Sequence, residues 1–150
     1  MCAWTPVLSS ISSCLLSPAV GTAALWQRWA GADIAVIDPA LLYTEVTSVI
    51  RLRVVTGRLT ADEGDQVFAA FNALRIARVD RDDLHLRAWQ LSKQYRTRRE
   101  YDMMYLALAQ LEELELWTGD ERLVNTIGGS DPRVRWIRAT DTPSTQESQS

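Results

Sequence analysis

A chain of 150 residues, 47% of them hydrophobic, can bury one sizeable core and is short for two ordinary domains. Its net charge of -3 excludes a broadly basic nucleic-acid coat and confines any RNA contact to local groups of Arg. No apolar run reaches the roughly 18 residues of a membrane span. The N-terminus lacks the Lys/Arg opening of a secretory signal, and Cys2 and Cys14 make no metal-ligand spacing, so a cytoplasmic chain with free thiols is expected.

In chain order, residues 1–18 are atypical, since Val7 to Leu16 is strand-like yet carries no charge. Thr22 to Ala30 reads as a short helix, with Trp26 and Trp29 serving the core or an apolar strip for a partner. Asp33 to Ile37 reads as a buried strand. Pro39 opens a long helix through Leu41, Leu42, Val46, Val49 and Ile50, with Asp38 as its cap and Gly57 as its stop. Thr60-Ala61-Asp62-Glu63 has capping-box form and starts a helix carrying Val67, Phe68, Phe71 and Leu74. Ile76 to Val79 is a short strand, and Asp82-Asp83-Leu84 begins a helix through Ala88, Trp89 and Leu91 that carries His85 on its surface. After the Arg96-Thr97-Arg98-Arg99 linker comes a helix containing Asp102. Glu115 to Thr118 is a strand, Thr118-Gly119-Asp120-Glu121 is a second capping-box pattern opening a short helix, and Val134 to Ile137 is the last strand. Residues 139–150 are polar and Pro-containing and read as a disordered tail, leaving 1–138 as the domain. Strands alternating with helices imply a parallel sheet covered on both faces, with sites at the carboxyl ends of its strands.

The acids carry the functional signal. Asp102 shares a helical face with Leu106 and Ala109, and Glu45 lies inside an apolar stripe, four after Leu41 and four before Val49. A buried carboxylate is costly without a cation, donors or a raised pKa. Asp120 follows a strand directly; taken alone it is helix-start chemistry, Glu45 alone also reads as the partner of a neighbouring Arg, and Asp102 alone reads as functional from its apolar neighbours. Together, acids from three elements are answered by one shared divalent cation. Oxygen ligands without His or Cys point to Mg²⁺ or Mn²⁺ rather than zinc, a set suited to phosphodiester hydrolysis. Arg96, Arg98 and Arg99 are available for RNA phosphates or are a solvated linker, Arg51, Arg53 and Arg58 suit the end of the long helix, and Arg122 can pair with Asp120 or reach phosphate.

Tyr43-Thr44-Glu45-Val46, Tyr101-Asp102-Met103-Met104-Tyr105-Leu106-Ala107-Leu108-Ala109 and Leu116-Trp117-Thr118-Gly119-Asp120-Glu121-Arg122-Leu123 together resemble the PIN-domain ribonucleases, specifically the VapC toxins of bacterial toxin-antitoxin pairs, from about Thr22 to Ile137. The resemblance implies a three-layer α/β/α fold on a central parallel sheet. It also implies a Mg²⁺-dependent endoribonuclease, usually a homodimer, neutralised by a small antitoxin. It carries over Glu45, Asp102 and Asp120 as the catalytic metal-site acids and Thr118 as a polar residue lining the site.

One acid of the family pattern is absent. The family opens with a strand running into an Asp within a Val-Asp-Thr/Ala-Ser-Val/Ala-Leu string, but here Ala3-Trp4-Thr5-Pro6-Val7-Leu8 falls in that place and Trp4 stands for the Asp. Asp33 precedes the second strand and Asp38 caps the long helix, so neither reads as a replacement. A reading-frame shift near the start or decay of the site accounts for the substitution. Either way the expected nuclease activity is much reduced, and the alternative is a non-catalytic module that binds an antitoxin or RNA. A third option leaves the acids purely structural.

Overall fold

The structure, a computed structural model, describes residues 7–9, 27–29, 31–33, 35–74, 76–98 and 100–137. Its strands are β1 (Val7–Ser9), β2 (Val36–Pro39), β3 (Ile76–Val79), β4 (Leu116–Thr118) and β5 (Val134–Trp136). Between them run α1 (Leu41–Val55), α2 (Ala61–Asn72), α3 (Leu84–Gln94), α4 (Glu100–Leu111) and α5 (Glu121–Ile127). The strands form one five-stranded sheet in the order β3-β2-β1-β4-β5, with every pairing parallel.

Side chains alternate across each strand, and the sheet uses that alternation to serve two cores. Val36, Ile76 and Trp117 pack with Leu42, Val46, Ile50 and Phe71 of α1 and α2 on one face. Ile37, Val79 and Leu116 pack with Leu91, Met103, Leu106, Leu108 and Leu123 of α3, α4 and α5 on the other. The result is the expected α/β/α sandwich.

Three residues of the charge-free opening, Val7–Ser9, form a strand. β1 is the middle strand, paired to β2 at Val7↔Ile37 and to β4 from Val7↔Leu116 to Ser9↔Thr118. Residues 27–29 are helical within the predicted 22–30 helix, and Trp29 is buried edge-on against Trp117, with ring centroids 5.7 Å apart at 87°. Trp29 therefore serves the core. Trp4, Trp26, Cys2, Cys14, Arg99 and the 139–150 tail lie outside the described residues.

The entry to the long helix differs from the sequence expectation. Asp38 and Pro39 are the last residues of β2, paired with Arg78 and Val79 of β3; the N-cap is Ala40, which makes no side-chain cap bond. Four consecutive pairings hold Asp38 in the sheet, and Pro at the strand's final position loses no needed ladder donor. Asp38 is thus a strand residue and does not cap the helix.

The other end of α1 follows the sequence. Gly57 adopts φ 71°, its N–H donates to the Val54 carbonyl at 3.1 Å and the Arg58 N–H donates to that of Arg53 at 2.8 Å, a Schellman closure. α2 then packs close to α1 at Gly64, where a Cβ would meet Val54 Cγ2 at 2.5 Å. Its predicted capping box is formed: the Thr60 N–H donates to Glu63 Oε2 at 2.8 Å, and the Glu63 N–H donates to Thr60 Oγ1 at 3.2 Å. Thr60→Ala is expected to lower stability by about 1 kcal/mol in urea unfolding, the usual worth of an N-cap side chain. Phe68 and Trp89 depart from their predicted apolar faces and are 43% and 57% exposed, each following a more buried neighbour by a 100° helical step.

Candidate functional site

In this strand order the chain moves outward from β1 to β2 and β3, then returns to β4 on the other side of β1. Such a switch point opens a crevice beyond the carboxyl ends of the strands. Asp38 at the end of β2, Glu45 in the first turns of α1 and Asp120 just after β4 all follow carboxyl ends.

Glu45 and Asp102 come together around Tyr105. The Tyr105 hydroxyl donates to Glu45 Oε2, and Tyr105 itself is 2% exposed. Asp102 is half-buried one turn before Tyr105 on α4, the helix whose Met103 and Leu106 are fully buried. Burial raises the pKa of Glu45 and the charge of Asp102 raises it further, against the lowering effect of the Tyr105 hydroxyl. Burial also raises the Tyr105 phenol, helped by the charges of Asp38, Glu45 and Asp102. Tyr105 therefore stays a protonated donor.

Asp120 has a separate local role. Its Oδ1 accepts from the Arg122 N–H at 2.9 Å and lies 3.6 Å from the Arg122 guanidinium, so it caps α5. The predicted Thr118–Glu121 capping box is not what forms. Thr118 is fully buried, and its Oγ1 accepts from the Asp120 N–H at 3.1 Å. The N-cap lies two residues later than the box would place it, because that bond already turns the chain after β4. Arg98 is exposed ahead of α4, and His85 is exposed on α3 as expected.

Asp38 is the acid whose role sequence reasoning missed. It is 0% exposed, and neither carboxylate oxygen has a hydrogen-bond partner among the described residues. Its signal was present in the sequence: one charge in the otherwise apolar string Val36-Ile37-Asp38-Pro39. Burial pushes its carboxyl well above the usual carboxylate range, and the neighbouring charge of Glu45 adds to this.

That direction makes a prediction. For an acid whose folded pKa is raised, stability is highest when both states are protonated, below about pH 4, and is lost as pH rises through the folded pKa. In metal-free buffer Asp38→Asn should therefore be more stable than wild type at neutral pH, with the difference shrinking on acidification. Urea unfolding across a pH series measures this. A difference that stays constant with pH would mean that Asp38 is not desolvated.

The oxygen-only set of Asp38, Glu45 and Asp102 suits a hard cation such as Mg²⁺ or Mn²⁺. Among the described residues no group of three or more His, Cys, Asp or Glu side chains is placed to hold a metal ion. Mg²⁺, however, keeps several waters and is commonly bound through one or two carboxylates, so a pair of acids with an undonated buried carboxylate fits it.

A parallel sheet covered on both faces, with its acids collected towards the carboxyl edge, places the chain among doubly wound α/β domains. More narrowly, the chain belongs to the PIN domain family, whose model matches residues 9–128, beginning at the last residue of β1. The family has a nuclease-type fold and generally depends on divalent metal. No curated protein matches this chain. Among the described residues no helix is long and apolar enough to cross a membrane.

Proposed function

We propose that this chain is a divalent-metal-dependent endoribonuclease of the VapC toxin type, weakened by loss of the first acidic ligand. It would act in the cytoplasm as a homodimer restrained by a small antitoxin. The observation that carries the reading is the convergence of Glu45 and Asp102 on Tyr105 at the carboxyl side of the sheet.

In this reading Asp102 and Glu45 would hold Mg²⁺ or Mn²⁺, and Asp120 would join them from the loop after β4 in exchange for its contacts with Arg122. The bound cation supplies charge neutralisation at the phosphodiester and a water of lowered pKa. Tyr105 holds the Glu45 carboxylate by its hydroxyl and so orients that acid. Arg98, with Arg99 beside it in sequence, contributes a salt-sensitive phosphate contact. Thr118 shapes the loop that carries Asp120.

The second reading is a non-catalytic module that binds RNA or an antitoxin. It is favoured by the lack, among the described residues, of a three-acid group placed for metal. Incubation of the purified chain with a mixed-sequence RNA and Mg²⁺ or Mn²⁺ separates the two. The nuclease reading expects slow endonucleolytic cleavage that is stopped by chelator and lost in Asp102→Asn. RNA retention without cleavage at any metal concentration would favour the binding module.

A further inference from the structure

The described residues contain two nearly or fully buried Asp carboxylates, and they are treated very differently. Asp131 accepts from Gln110 Nε2 at 2.7 Å, from the Arg133 N–H at 3.0 Å and from Arg133 Nη1 at 3.3 Å. Its oxygens are satisfied, as those of buried acids usually are. Asp38 is more deeply buried and has no donor to either oxygen. The cation on its cross-strand neighbour does not serve it, because the Arg78 guanidinium lies 3.7 Å over the ring of Tyr43.

The acid near enough to Asp38 to repel its charge is Glu45, and Tyr105 feels the charge of both. Desolvating one carboxylate beside another without a donor is strongly unfavourable unless something positive is shared between them. A proton on Asp38 removes the charge but leaves one of its oxygens without a donor. A divalent cation held between two carboxylates meets both needs.

We propose that Asp38, at the carboxyl end of β2, is a metal ligand that works with Glu45 of α1, so that the metal centre of this chain draws a carboxylate from the second strand. The inference rests on the nuclease reading for the presence of a metal, and adds the residue that holds it. It also assigns the undonated oxygens a function.

The test is thermal unfolding and calorimetric titration of the full chain with Mn²⁺ alone, after chelator treatment and without RNA. Wild type is compared with Asp38→Asn, Asp38→Ser and Asp102→Asn, with far-UV circular dichroism establishing that each variant is folded. Wild type is expected to gain roughly 3–6 °C in Tm at Mn²⁺ about tenfold above its Kd. Both Asp38 variants are expected to bind Mn²⁺ at least about tenfold more weakly and to lose most of that gain. If Asp38 variants respond like wild type while Asp102→Asn does not, Asp38 is only a protonated buried acid; the proposal is then overturned and the nuclease reading stands. If wild type itself shows no Mn²⁺ response, the proposal and the metal part of that reading fall together. The Asn variant should fold, since an amide of nearly the same shape carries no charge to desolvate.

Discussion

Asp102→Asn is expected to lower metal-dependent RNA cleavage by about 100-fold or more, equivalent to about 2.7 kcal/mol of transition-state stabilisation, with little change in the unfolding midpoint. The side chain sits in the middle of a well-ordered face: Met103, Leu106 and Ala109 of the same helix are each 0% exposed. An amide of nearly the same shape preserves that packing and removes only the charge. Two consequences follow together. A metal loses one carboxylate, and Glu45 loses the negative neighbour that helps raise its pKa. Since the charge of Asp102 pushes Glu45 up, the Glu45 carboxyl of the metal-free variant should titrate at lower pH than that of wild type. Initial rates on an end-labelled RNA with Mn²⁺, with and without chelator, measure the first effect, and a carboxyl NMR titration of the metal-free variant and wild type measures the second. Equal rates for variant and wild type would remove Asp102 from the chemistry.

Leu106→Ala is expected to destabilise the fold by about 2–5 kcal/mol, whereas Leu86→Ala should fall within about 0.5 kcal/mol of wild type. Leu106 is 0% exposed in the core shared by α3, α4, α5 and β4, where Leu84, Ala88, Leu91 and Leu116 are its fellow members. Leu86 on α3 is 57% exposed. Both substitutions delete the same atoms, so the difference isolates burial and the cavity left behind. Against a total stability of about 5–15 kcal/mol, the buried truncation removes a large share. Urea unfolding with both variants on one set of axes decides it. Because Leu106 lies one turn after Asp102, loss of cleavage in Leu106→Ala at temperatures where it remains folded would show that the helix positions the acid as well as carrying it.

Most of the architecture was legible because it rests on local rules. Thr60 and Glu63 form a capping box wherever a helix begins with that spacing, Gly57 supplies the left-handed residue that ends α1, and Ile76–Val79 forms the strand over the predicted residues. The apolar neighbours of Asp102 correctly implied a carboxylate set into a buried face. Two local patterns misled. A Thr-x-x-Glu match at Thr118 suggested a capping box, yet Thr118 is the buried last residue of β4 and Asp120 is the cap. An Asp before Pro39 looked like a helix cap, yet pairing with β3 holds both residues in the sheet.

What the chain determines by itself is the sequence of elements, the two apolar faces of the sheet and the acids on otherwise apolar surfaces, because these follow from side-chain periodicity and capping over a few residues. Tertiary structure alone decided which acids meet. Glu45 and Tyr105 are sixty positions apart and become hydrogen-bonded partners only when α1 and α4 dock on the sheet. The isolation of Asp38 likewise depends on where Arg78 and Glu45 end up once the strands pair. Whether a carboxylate is a cap, an ion-pair partner or a ligand depends on the donors that reach it in space, and those come from elements distant in the chain.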